Sequence, residues 1–266
     1  MVDIRANLER VRDAILRACE RAGRSAGDVL LIAVSKTVEV ERIRAAVAAG
    51  VTALGENRVQ EAREKIEALG RPVPWHLIGS LQSNKAKDAA RLFDWIHSVD
   101  RAELAQELSR RAHALGRALN VLIQVNVGDE PQKGGVAPGE LKALLDQIAG
   151  LEHLRVRGLM ALPPAAPNAE AARPHFRRLR ELRDAVGLEH LSMGMSADFE
   201  VAIEEGATMV RVGTAVFGPR PAPKETSFEL SDGRAPKAVR AAAAGEASES
   251  GDSASASEPR ASRGEG

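Results

Sequence analysis

Lys36 follows the apolar run Val29 to Ser35 in the stretch VLLIAVSKT. A run of that length and composition suits a strand buried on both faces, as in a parallel sheet covered by helices. The lysine then stands at the strand's carboxyl end, where α/β proteins place their chemistry. By position alone it is either a solvated strand terminus or an amine placed for use. Two later segments bear on that choice. In SMGMSADFE (192–200), small residues and a glycine lead to Ser196 just ahead of a predicted helix; in RVGTAVFG (211–218), Arg211, Gly213 and Thr214 stand at a second such point. Backbone amides and a hydroxyl at a helix start can hold an anion. Each segment alone reads equally well as an N-cap and a tight turn, whereas the pair favours a phosphate.

An amine and a phosphate cradle on one face suggest a ligand that carries both a phosphate and an aldehyde. An ordinary lysine, with a pKa of about 10.4, is protonated at neutral pH. Burial at an apolar strand end and a nearby cation such as Arg211 both lower that value and free the nucleophile. Pyridoxal 5′-phosphate answers to this description.

Residues so far apart in sequence need a scaffold that gathers strand ends. Hydrophobic period predicts strands at 29–35, 53–57, 75–79, 94–99, 120–127, 153–162, 190–194 and 208–213, each followed by a helical segment. A leading amphipathic helix over 3–21 places Ile4, Leu8, Val11 and Ile15 on one face, with Cys19 as a small core residue. The helical turn after the last strand, at 214–217, is short. Strands alternating with helices through short connections predict a single-domain (β/α)8 barrel of the TIM type, over residues 1–219. A doubly wound open sheet would carry a Gly-rich first turn, which Ser35-Lys36-Thr37 is not. From Arg220 to Gly266 the composition turns to Ala, Ser, Glu, Gly and Pro without hydrophobic period, so a disordered tail is expected there.

Composition narrows the function classes. In 266 residues, 37 Lys and Arg balance 37 Asp and Glu. No bulk attraction to nucleic acid or to an acidic membrane surface is expected. Cys19 is the only cysteine, which excludes a disulfide framework and suits a reducing compartment. The N-terminal MVDIRANLERVRD has no apolar signal core, no run is long enough to span a bilayer, and a cytoplasmic protein is expected. No heptad seam is evident, and a monomer is expected. His76 and His97 fall on neighbouring strands without a His-x-His pair or carboxylate set, so no metal site is expected. Lys85 and Lys87 read as a solvated helix start, with Lys85 as a lesser candidate for attracting the phosphate, and Lys133 reads as an exposed loop residue.

The motifs VSKT (34–37), GENRVQE (55–61), WHLIGSLQSNK (75–85), SVD (98–100), QVN (124–126), GLMALPP (158–164) and LSMGMSADFEVAIEEGATMVRVGTAVFG (191–218) occur in that order. In this the chain resembles the pyridoxal phosphate homeostasis proteins. The resemblance implies a barrel similar to the N-terminal domain of alanine racemase, with pyridoxal phosphate held as a Schiff base on Lys36. It further implies Ser196, Gly213 and Thr214 at the phosphate, Arg211 facing the pyridine nitrogen, Asn57 on the cofactor's other edge and Met160 near the ring. Apo-enzymes that use the cofactor are the partners it suggests.

Two functions follow from those residues. An arginine stays protonated and cannot stabilise a protonated ring nitrogen, which weakens the cofactor as an electron sink. Alanine racemases use an opposing tyrosine from a second domain, and this chain contains no tyrosine. A non-catalytic binding and homeostasis protein is therefore the first expectation. A weak one-base racemase or lyase, with Lys36 as the base, is the alternative.

Overall fold

The computed structural model describes residues 2–130 and 133–219; the tail expected to be disordered lies outside the described residues. Eight parallel strands close into a barrel in sequence order. They are β1 (Leu30–Val34), β2 (Leu54–Glu56), β3 (Trp75–Leu77), β4 (Trp95–Val99), β5 (Leu119–Gln124), β6 (Leu154–Met160), β7 (His190–Ser192) and β8 (Met209–Val212). Closure comes from β1 pairing with β8 over the registers Leu30 with Met209 to Ala33 with Val212. The strands are shorter than the apolar runs that predict them, because in every run except that of β4 the last residues leave the ladder to form the loops of the mouth.

The helices are α1 (Ile4–Arg21), α2 (Val40–Ala48), α3 (Val59–Leu69), α4 (Ala86–Leu92), α5 (Ala102–Ala114), α6 (Leu141–Ile148), α7 (Arg173–Ala185), α8 (Phe199–Glu204) and α9 (Thr214–Phe217). Asp3 caps α1, its carboxylate accepting from the Ala6 amide at 3.0 Å, and Ile4, Leu8, Val11, Ile15, Ala18 and Cys19 are buried along one face. The helix after β8 is a single turn, too short to cover its strand. Helix α1 takes that place, packing on α8, α9 and α2. Arg21 ties its end to Glu200 and Glu204 of α8 at 2.9 and 2.7 Å.

Residues inside a barrel alternate with residues that face the helices. One interior cluster is apolar: Ile32, Ala53, Leu122, Met160 and Met209, with Leu30 and Trp95 against it. Beside it runs a polar column of His76, His97, Ser192 and Arg211, all buried. Aliphatic side chains usually fill such interiors. The register of β4 against β5 shifts between Ile96 and Val99, the irregular stretch that holds His97.

Candidate functional site

At the carboxyl ends of the strands lies a cavity of about 640 Å³, within the range of small-molecule sites. Lys36, Asn57, Ser196, Arg211, Gly213 and Thr214 line it together. The barrel therefore brings to one place residues drawn from the exits of β1, β2, β7 and β8. Met160 is the exception. It ends β6 inside the interior apolar cluster, and Leu162, two residues further in the same phase, reaches the cavity wall instead.

The backbone around Lys36 is clamped from behind. The Lys65 ammonium on α3 donates to the Ser35 carbonyl at 2.6 Å, to Glu56 Oε1 at 2.8 Å and to Glu61 Oε1 at 2.6 Å. Glu61 Oε1 also accepts from the Thr37 amide, so the peptide groups on both sides of Lys36 are held by one cluster. Thr37 has φ of 60°, a left-handed conformation that costs a non-glycine residue about 1–2 kcal/mol. The clamp offsets that strain. Glu56 is buried; desolvation raises its carboxyl above the usual range against the pull of Lys65 and Ser35. Burial also pushes Glu61 upward, but Lys65 and the Thr37 amide outweigh it and leave Glu61 below its ordinary value.

On the opposite wall, Ser196 Oγ accepts from the amides of Gly213 and Ala215 at 3.3 and 3.5 Å. Two N–H groups thus converge on one oxygen position. Gly194 gives the loop its turn: its φ is +89°, and a Cβ there would lie 2.6 Å from the Ala202 side chain. Gly79, also in the cavity wall, lets the Asn57 backbone pass, since a Cβ would lie 2.3 Å from the Asn57 carbonyl oxygen.

Arg211 is buried beneath the cavity, donating from Nη1 to Ser192 Oγ at 2.7 Å and from Nη2 to the Ala161 carbonyl at 2.9 Å. Desolvation lowers its pKa to about 10, against the pull of Asp198, and it remains a cation at neutral pH. It is a donor-only group fixed in the floor.

Lys133 departs from the expectation of an exposed loop lysine. It is half-buried, donates to the Pro163 carbonyl at 2.9 Å, pairs with Glu130 and lines the cavity. Lys85 is exposed and does not line this cavity; with Arg58, Gln82 and Asp88 it lines a neighbouring depression that shares Asn57 and Ser80 with it. The clamp residues Glu61 and Lys65 escape sequence reading because an i, i+4 Glu–Lys pair is the ordinary signature of a solvated helix face. Among the described residues no three His, Cys, Asp or Glu side chains gather as a metal would require, and no helix is long and apolar enough to cross a membrane.

The barrel and this mouth define a class. Residues 6–221 match the family model of the alanine racemase N-terminal domain. An alanine racemase of Clostridium difficile 630 shares the fold at a TM-score of 0.61 and 19% identity, covering 83% of this chain and 57% of its own. Within that class the chain belongs to the pyridoxal phosphate homeostasis protein family. It is 51% identical over 220 residues to the pyridoxal phosphate homeostasis protein of Aquifex aeolicus, covering 80% of this chain and 96% of that one. With the protein of that name from Pseudomonas aeruginosa it shares 49% over 225 residues, covering 83% and 97%. The structure of PipY from Synechococcus elongatus PCC7942, with PLP bound, matches at a TM-score of 0.72 and 40% identity, covering 81% of this chain and all, 100%, of that one.

Proposed function

We propose that the cavity binds pyridoxal 5′-phosphate and that the protein serves intracellular homeostasis of this cofactor, holding it on Lys36 and passing it to apo-enzymes. It does so as a cytoplasmic monomer, with the barrel of residues 1–219 as the working domain. The observation that carries this reading is the sharing of one cavity by the Lys36 amine, the buried Arg211 guanidinium and Ser196, on whose hydroxyl oxygen two amides converge. The names of the relatives and the PLP in PipY point the same way.

The residues fit the group. Ser196 Oγ marks a point where the Gly213 and Ala215 amides hold an oxygen, as they would a phosphate oxygen, and Thr214 adds a hydroxyl beside it. When bound, pyridoxal phosphate supplies an aldehyde whose carbon takes the lysine nitrogen and gives up its oxygen as water. Lys36 must present that nitrogen without its third proton, and the clamp on Ser35 and Thr37 fixes the backbone from which the side chain extends. Arg211 offers hydrogen bonds only as a donor, so the ring nitrogen keeps its lone pair and the ring draws electrons weakly. That favours storage over turnover, and it sets this reading against a weak one-base racemase or lyase.

The test is the absorption spectrum of the purified protein, before and after borohydride, beside a Lys36→Ala variant. A band near the visible edge, trapped by borohydride on Lys36 and missing from the variant, is expected. A protein that stays colourless with added pyridoxal phosphate overturns the reading. Deuterium uptake at Cα of an amino acid, incubated with the loaded protein in D2O, would favour the enzyme instead.

A further inference from the structure

His76, His97 and Ser192 are buried polar groups to which cofactor binding assigns no task. They form a line that ends on Arg211. Arg211 Nη1 lies 2.7 Å from Ser192 Oγ, Ser192 Oγ lies 2.9 Å from His97 Nδ1, and His97 Nε2 lies 3.0 Å from His76 Nδ1. His76 lies parallel to Trp95, at 3° and 5.7 Å between ring centroids, and Trp95 meets His190 edge-on at 5.5 Å. The column runs from the cavity floor down through the barrel.

The direction of each hydrogen bond follows from the end that can only donate. A guanidinium has no acceptor, so the Ser192 oxygen accepts from Arg211. The Ser192 proton then goes to His97 Nδ1, and the proton on His97 Nε2 goes to His76 Nδ1. In the reverse order His97 would donate to Ser192, and the buried serine proton would lose its acceptor at a cost of about 1–3 kcal/mol. Both imidazoles are neutral: burial lowers His76 to about 3 and holds His97 well below its ordinary value, with His76 and Arg211 adding to the effect on His97.

We propose that His97 and His76 are positioning residues for Arg211, which orient the Ser192 hydroxyl and through it fix the plane of the guanidinium presented to the cofactor's ring nitrogen. The proposal rests on the reading that the cavity takes pyridoxal phosphate. Arg211 has a second anchor in the Ala161 carbonyl, 2.9 Å from Nη2. With one anchor lost, the guanidinium turns about the other. The chain would still bind the cofactor, but with its ring nitrogen poorly met.

The test uses the full chain with His97→Phe, His76→Phe and His97→Asn. The phenylalanines keep a flat ring and remove the hydrogen bonds, and the asparagine returns an acceptor near the place of Nδ1. The measurements are affinity for pyridoxal phosphate, the position of the bound cofactor's absorption band, and the pH at which that band changes. Circular dichroism and thermal midpoints report folding, and borohydride trapping on Lys36 reports the cofactor reading independently. Trapping is expected in every variant. In His97→Phe the affinity falls about tenfold, the scale of one hydrogen bond to a charged group, and the band and its pH midpoint move. His76→Phe moves them the same way by less, and His97→Asn returns them toward the wild type. A folded His97→Phe chain with wild-type affinity, band and midpoint overturns the proposal and leaves the cofactor reading standing. Should His97→Phe fail to fold, the folded His76→Phe chain decides by the same three measurements. A wild-type chain that takes up no pyridoxal phosphate overturns the reading beneath it.

Discussion

Lys65 has three acceptors around one ammonium, and two of its partners, Glu56 and Glu61, are carboxylates. Breaking a buried pair by removing one partner leaves the other charge uncompensated, typically at about 3–5 kcal/mol. Lys65→Met is therefore expected to lower the urea midpoint by that order, because Glu56 is buried behind it and its Oε2 has no hydrogen-bond partner. Adding Glu56→Gln to Lys65→Met should recover part of the loss; a double variant less stable than the single would contradict the account. The same cluster holds Thr37 in its left-handed conformation. Thr37→Gly, which relieves that strain but adds freedom to the unfolded chain, should leave stability nearly unchanged while slowing cofactor capture on Lys36, measured as the rate at which the absorption band grows.

At the scale of elements, α1 is the helix that the barrel's last strand lacks. Its two faces make different predictions. Leu8 is buried against the barrel, and Leu8→Ala should cost about 2–5 kcal/mol. Leu16 is 47% exposed on the other side, and Leu16→Ala should stay within about 0.5 kcal/mol. Equal losses in urea unfolding would mean that α1 does not pack as described. A second tie joins α7 to the end of α8, where Glu205, 5% exposed at its side chain, meets Arg173, Arg177 and Arg180 at 3.2, 3.0 and 3.0 Å. The two helices flank β7 and β8, whose exits supply Ser196 and Gly213, so the tie stiffens the wall that carries the converging amides.

The whole molecule has a pH dependence built into its interior. His76 and His97 are neutral when folded and take up protons when the chain unfolds below their ordinary value of 6.5. Between that value and the folded value, about 3 for His76, the unfolded state binds more protons, so stability is greatest above 6.5 and falls as the pH drops. Each imidazole contributes up to about 1.4 kcal/mol per pH unit in that window. Unfolding free energies measured from pH 7 to pH 5 should decline before most carboxylates titrate. His76→Phe should flatten the decline, and an unchanged slope in that variant would show that His76 is not the proton acceptor.

Alternation of strand and helix is written locally, in the period of the apolar residues and in the short polar breaks between runs. That is why eight strands, the barrel and the gathering of Lys36, Asn57, Ser196, Arg211, Gly213 and Thr214 at its mouth could be read from the chain by itself. Period does not say which inward residues meet across the barrel, nor how far down each one sits. Met160 belongs to the interior layer below the cavity, while Lys133, from a loop that reads as solvated, lines its wall. The bond between His97 and Ser192 joins residues 95 apart in sequence, and that between Lys65 and the Ser35 carbonyl joins residues 30 apart. No local pattern marks such pairs, because each depends on the closed register of the sheet and on the height at which a side chain enters it. Which residues the barrel could offer was set along the chain, whereas closure of the sheet selected the ones that hold one another in place.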